Sequence, residues 1–281
     1  MTTFDTSIGC FFIGIIISAL MYGCTVGQVL YYIGNYKEDR WGFKLFVLFL
    51  WASDTVATVL AASFIWEYLI QDHADPTKLT ILTNEVVAEY MITTVIILVV
   101  QVYYTLAIWR LINSNMYKIL VSSIVLIISL ISFAFGIENT SKIAQDPHVP
   151  QVYSSIEGPA TAQPLLACIA DIYITIALSW LLQRERTMFA RTDTIINTLT
   201  MWAINRGVLT SALQTAQAIS YIAASKSVFY WSIFHFAGGK AYVNSALAIL
   251  NARNFIRDGG KTVQKGSRDH YAMQELSSNS R

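Results

Sequence analysis

Seven apolar runs, each long enough to cross a bilayer, constrain this chain more than anything else in it. They fall at roughly 8–33, 43–70, 86–112, 117–137, 163–183, 194–223 and 228–251. A hydrocarbon core is about 30 Å thick and a helix rises about 1.5 Å per residue, so about 20 residues cross it. Inside lipid every backbone N–H and C=O needs an internal partner, and continuous runs of this length meet that need as helices. Charged residues make up 13% of the chain, about half of the roughly 25% typical of soluble domains. The expected fold is all-α. Residues 1–253 are read as a polytopic, seven-transmembrane-helix bundle, and residues 254–281 as a disordered basic cytoplasmic tail.

Basic residues set the orientation. With the N-terminus outside, Lys37, Arg40, Lys44, Arg110, Lys118, Arg184, Arg186, Arg191, Arg253, Arg257, Lys261, Lys265, Arg268 and Arg281 face the cytoplasm. Only Lys78, Lys142 and Lys226 then face outward, a ratio of 14 to 3 among the 19, with Arg206 and Lys240 inside the membrane. The expectation is N-terminus out and C-terminus in, in the plasma membrane or an endomembrane. The first run lacks a basic flank and reads as an uncleaved span. Stretch 138–162 is the longest outer loop and carries the sequon Asn139-Thr140-Ser141. Trp41, Trp66, Trp109, Trp180 and Trp231 fall near run ends, where interfacial anchors sit. Cys10, Cys24 and Cys168 read as buried free thiols. Ala19, Gly23 and Gly27 make a small-xxx-small face that packs within the monomer or, through Gly23 and Gly27, forms a homodimer. Membrane lipid is an expected partner; with a net charge of +1, nucleic acid is not.

The polar residues inside the runs carry the functional content. Lys240, Asn244 and Asn251 share one helical stripe. A lysine at this depth costs about 2.5–3.5 kcal/mol on insertion scales, so it needs a partner. Counting rise per residue puts Asp54, Arg206 and Lys240 about 16–18 Å into their spans, near the midplane. Asp171 comes out about 10–12 Å below the outer surface, and Glu89 nearer the outer edge. Two cations therefore share a depth with one clear anion, Asp54. Arg206, Thr210, Gln214 and Gln217 form a second stripe, and Asp54–Thr58, Glu89–Thr93 and Asp171–Thr175 each lie one turn apart. These stripes predict a polar interior opening outward. Asp54, Arg206, Lys240, Asn244, Asp171, Glu89 and Gln214 are either a ligand site or internal ion pairs that lock the bundle.

Several chemistries fall away. Of the four histidines only His235 lies in a run, which removes histidine-rich di-iron sites, paired haem ligands and H-E-x-x-H. Aspartate-rich diphosphate sites and a Walker A sequence are also missing. No metal and no cofactor is expected.

Three stretches carry a likeness: Asp171 through Arg191-Thr192-Asp193, then Arg206-Gly207-Val208-Leu209-Thr210-Ser211, and finally Gly239-Lys240-Ala241-Tyr242-Val243-Asn244-Ser245-Ala246-Leu247-Ala248-Ile249-Leu250-Asn251-Ala252-Arg253. Over about residues 168–255 the chain resembles the basidiomycete seven-helix membrane proteins catalogued as domain of unknown function 6534. The family's usual ending is followed with Ala241 in place of leucine. The resemblance implies a seven-helix topology and a fungal source. It implies no activity.

Three functional readings remain. The first is a receptor-like membrane protein binding a small or lipid-like ligand in an outward-facing polar cavity near Asp54, Arg206 and Lys240. Its third run ends Ala107-Ile108-Trp109-Arg110 and its seventh lacks Asn-Pro-x-x-Tyr, which disfavours a rhodopsin-family receptor. The second is a membrane-embedded enzyme such as a small terpene cyclase, with Asp54 or Glu89 as the acid. The third is a transporter in which Asp54 titrates against Arg206 or Lys240, although neither inverted repeats nor paired broken helices appear.

Overall fold

The computed structural model describes residues 8–71, 81–112, 114–149, 152, 155–184, 190–223 and 229–253, and these form seven long helices. They are α1 (Ile8–Asn35), α2 (Trp41–Trp66), α3 (Asn84–Leu111), α4 (Asn115–Gln145), α5 (Glu157–Arg184), α6 (Ala190–Ala223) and α7 (230–253). A π-helical turn, Glu67–Gln71, continues α2. An isolated bridge joins Ile81 to His148 and ties the approach to α3 to the segment after α4. Helices α1 to α5 are each long and apolar enough to cross a membrane. The chain is therefore an integral membrane protein, and its outward-turned Leu20, Val59, Ile127 and Ile176 face lipid.

Two apolar cores show that the helices alternate in direction. One core takes Phe11 and Ile15 from the start of α1, Ala61 and Phe64 from the end of α2, Val86 and Tyr90 from the start of α3, Ile143 from the end of α4, Ala160 from the start of α5 and Phe236 from the first half of α7. The other takes Val29 and Tyr32 of α1, Val47 and Leu50 of α2, Val100 and Tyr104 of α3, Ile174 and Leu178 of α5, and Leu247 and Leu250 of α7. Helices α1, α2, α3, α5 and α7 each feed one core from their first half and the other from their second. Asp54 lies on α2 between Leu50 and Ala61, and Lys240 lies on α7 between Phe236 and Tyr242.

Several expectations need correction. The outer stretch 138–162 is mostly helical, because α4 runs on to Gln145 and α5 starts at Glu157. A Glu138–Lys142 ion pair of 2.7 Å, one turn apart, supports the extension of α4. Pro159 sits in the first turn of α5, where its missing N–H goes unused. Asn139 is consequently not a loop residue: it is 1% exposed, on the inner face of α4. Trp231 is not an interfacial anchor, because it packs edge-on to Phe11 at 6.1 Å inside the first core. The other four tryptophans are exposed. Cys24 is an exposed thiol, while Cys10 and Cys168 are buried. Ala19, Gly23 and Gly27 do not pack within the monomer. All three are exposed, and a Cβ at either glycine would meet nothing within 4 Å. The tail 254–281, Lys78, Arg186 and Lys226 lie outside the described residues.

The close approaches use other glycines. A Cβ on Gly14 would lie 3.1 Å from the Ile233 Cα, so α1 and α7 touch almost backbone to backbone there. A Cβ on Gly207 would collide with the Thr175 hydroxyl of α5. That hydroxyl is itself held, donating to the Asp171 carbonyl oxygen at 2.7 Å. Gly207→Ala should therefore lower stability by about 1–3 kcal/mol through overpacking. Gly23→Ala should be neutral or slightly stabilising. Thermal unfolding of both in one detergent tests this; equal losses would mean that α5 and α6 do not meet at Gly207.

Candidate functional site

The stripe on α7 is a docking seam. Lys240 Nζ donates to Asp54 Oδ1 at 2.7 Å, to the Asp54 carbonyl oxygen at 2.9 Å and to Thr58 Oγ1 at 2.5 Å. Asp54 is 1% and Lys240 3% exposed, so this pair is fully withdrawn from lipid. One turn on, Asn244 Nδ2 donates to the Met21 carbonyl oxygen (3.0 Å) and Thr25 Oγ1 (3.1 Å), while its Oδ1 accepts from Gln28 Nε2 (2.9 Å). Asn251 Nδ2 donates to the Gln28 carbonyl oxygen at 2.9 Å, and the Asn251 carbonyl oxygen accepts from the Tyr36 hydroxyl at 2.8 Å. The lysine thus docks on α2 and the asparagines on α1.

The seam ends at Arg253. Its Nη2 donates to Asp39 Oδ2 at 2.6 Å, its guanidinium lies over the rings of Phe43 and Tyr36, and Tyr32 donates to the same carboxylate at 2.8 Å. Burial alone would raise the Asp39 carboxyl, but hydrogen bonds from Arg253 and Tyr32 and the charges of Arg253 and Lys44 hold it below the usual carboxylate value.

A second cluster joins four helices. Asp171 of α5 accepts from Arg206 Nη2 of α6 at 2.8 Å and from Gln101 Nε2 of α3 at 3.2 Å, both on Oδ1. Its Oδ2 accepts from the Tyr242 hydroxyl of α7 at 2.6 Å. The Arg206 guanidinium lies 4.2 Å from the Tyr104 ring centroid, a cation–π contact in a dry interior. Gln214 Nε2 reaches the Tyr242 hydroxyl at 3.5 Å. Arg206 and Lys240, which the sequence sets at one depth beside one clear anion, each have their own aspartate. A span starting at residue 163 sets Asp171 too shallow. Counted from Glu157, where α5 begins, Asp171 lies 14 residues in, or about 21 Å, close to the midplane.

The third group lies nearer the end where α1 begins. Glu89 Oε2 of α3 is 3.0 Å from His235 Nε2 of α7, and Glu89 Oε1 accepts from Thr93 at 2.9 Å. His235 stacks on Tyr90, with ring centroids 4.6 Å apart. The Tyr90 hydroxyl donates to Gln163 Oε1. Tyr90 also lines a cavity of about 20 Å³. Its walls come from Leu82 and Val86 at the start of α3, Asn139 and Ile143 of α4, Ile156 and Ala160 at the start of α5, Gln217 and Tyr221 of α6, and Trp231 of α7. Asp54, Arg206 and Lys240 do not line it. Asn139 Oδ1, although buried, has no hydrogen-bond partner.

Sequence reasoning missed Gln101, Tyr104, Tyr242, Tyr90 and Asn139 as members of these groups. Tyr242 stood between Lys240 and Asn244 in the closing motif, and Gln101 was an uncharged amide deep within an apolar run. Those were the available signals.

Two measurements test the grouping. Lys240→Met strands a carboxylate and should cost about 3–5 kcal/mol, most of it recovered when Asp54→Asn is added. The same cycle with Asp171→Asn should be additive; coupling of Lys240 to Asp171 would contradict the separation of the pairs. Asp39 gives the pH test. Its folded pKa is lowered, so its contribution is present above its unfolded value of about 3.9 and fades as pH falls through the folded value. The stability gap between wild type and Asp39→Asn should therefore close as pH drops below about 4.

No curated protein and no solved structure matches the chain. Asp171, Arg206 and the whole α7 seam fall within residues 167–255, the C-terminal segment that matches a family of unknown function (DUF6534).

Proposed function

We propose that the protein is a receptor-like membrane protein with seven spans, its N-terminus outside and its C-terminus cytoplasmic, binding a small lipid-like ligand in the cavity near the outer end of the bundle. The buried pairs are its locks. The 14-to-3 division of basic residues supports this orientation. So do three cation–aromatic pairs at the end assigned to the cytoplasm, where Lys44, Lys118 and Arg184 sit over Trp41, Trp109 and Trp180.

The observation that carries the reading is the cavity and what adjoins it. Apolar walls with a few converging polar groups suit a small, mostly hydrocarbon ligand. Tyr90 links the cavity to His235 and Glu89. Thr93, bonded to Glu89, lies against Gly239, the neighbour of Lys240. A ligand that shifts Tyr90 would therefore press on the part of α7 that holds the Asp54 lock. The ligand seat moves from the midplane charges to this cavity, because Asp54, Arg206 and Lys240 are paired and at most 4% exposed. The homodimer through Gly23 and Gly27 belongs to the same proposal, and disulfide cross-linking through the exposed Cys24 between two copies checks it.

Protease-cleavable tags at residue 281 and near residue 150 should be cut from opposite faces of the membrane; cutting from one face overturns the seven-span orientation. Native mass spectrometry of the purified protein should show a retained lipid-like adduct. Ala160→Phe, which fills the cavity, should remove it, whereas the Asp54→Asn, Lys240→Met double variant should keep it. An adduct indifferent to Ala160→Phe overturns the placement of the seat.

A further inference from the structure

We infer that the outer cavity recognises an alcohol: it takes the hydroxyl of a small, otherwise apolar molecule, which donates to Asn139 Oδ1. This inference rests on the reading of that cavity as the ligand seat. Asn139 is 1% exposed and its carbonyl oxygen is without a donor. A buried acceptor left in that state is costly, so a group that donates to it gains correspondingly. Gln217 of α6, 7% exposed, brings a second amide to the same walls. An amide both donates and accepts, and a hydroxyl offers one donor and two acceptor lone pairs, so one hydroxyl can serve both residues.

The remaining walls narrow the class further. None of the lining residues is charged, which argues against a carboxylate, a phosphate or an ammonium group, since each would be buried without a counter-charge. Leu82, Val86, Ile143 and Ile156 offer hydrocarbon instead. A void of about 20 Å³ accommodates a group about the size of one hydroxyl, so the hydroxyl end of the molecule is what the cavity takes. An aldehyde or an alkane of the same length lacks the donor that Asn139 requires. Recognition should therefore follow the functional group, not the chain length.

The test uses the full chain in detergent with a diazirine derivative of 1-hexanol as photoprobe, with cross-links mapped by peptide mass spectrometry. Labelling should fall on peptides containing Tyr90, Asn139 or Trp231. Competition by 1-hexanol should take effect at concentrations about ten-fold lower than for hexanal or hexane. Asn139→Leu should abolish that preference while its thermal unfolding stays cooperative. Should this variant fail to fold, Gln217→Met provides the second reading, with the preference reduced several-fold. Equal competition by 1-hexanol and hexanal overturns the hydroxyl reading and leaves the cavity as a seat for apolar ligands. Absence of any cross-link to the lining of the folded protein, with only a water on Asn139, overturns both the hydroxyl reading and the ligand seat.

Discussion

Lys240 sits in the middle of α7, and an ammonium group at that depth has few tolerable surroundings. It must reach solvent or be enclosed by oxygens. The bundle encloses it with the Asp54 carboxylate, the Asp54 carbonyl oxygen and Thr58, three acceptors on two successive turns of α2. Much of the architecture follows. Holding Lys240 on α2 fixes the rotation of α7, which turns Asn244 and Asn251 toward α1 and Tyr242 toward Asp171. It also brings Gly239 against Thr93 of α3. One helix therefore meets α1, α2, α3 and α5 through residues of a single short motif.

The polar groups of the interior are arranged to share. Asp171 serves three donors from three other helices, and Glu89 serves His235 and Thr93. Threonines one turn after Asp54 and Asp171 return their hydroxyls to the aspartate's own carbonyl, which satisfies a hydroxyl without leaving the helix. Buried pairs of this kind add little net stability compared with apolar residues of similar volume, but breaking one side is expensive. Their effect is to penalise every packing in which the partners are misaligned.

How much of this could be read from the sequence depended on which physical signal was present. The helices were legible because hydrocarbon permits nothing else for such runs. The stripe of Lys240, Asn244 and Asn251 was legible because a period of 3.6 sorts residues by face. Partner choice was not. Period fixes the face a side chain takes but not the neighbour it meets, so the sequence leaves open which aspartate Arg206 meets. Depth is legible only where a span start is, and Pro159, which reads as a loop residue, lies in the first turn of α5. Asn139 looked like a loop residue because polar residues follow Gly136, yet α4 continues with those residues divided between an outer face and the cavity.

The α7 seam also bears on how the protein is made. Synthesis runs from the N-terminus, so α7 is the last of the seven helices to leave the ribosome. Until it arrives Asp54 and Glu89 lie among apolar helices without Lys240 and His235, and Asp39 waits for Arg253. The buried Asp171–Arg206 pair can close earlier, because α5 and α6 already contain both members. Without α7 the first six helices therefore lack the partners that Asp39, Asp54 and Glu89 have in the complete bundle. Arrival of α7 supplies all three partners at once, so the last helix sets the alignment of the helices made before it.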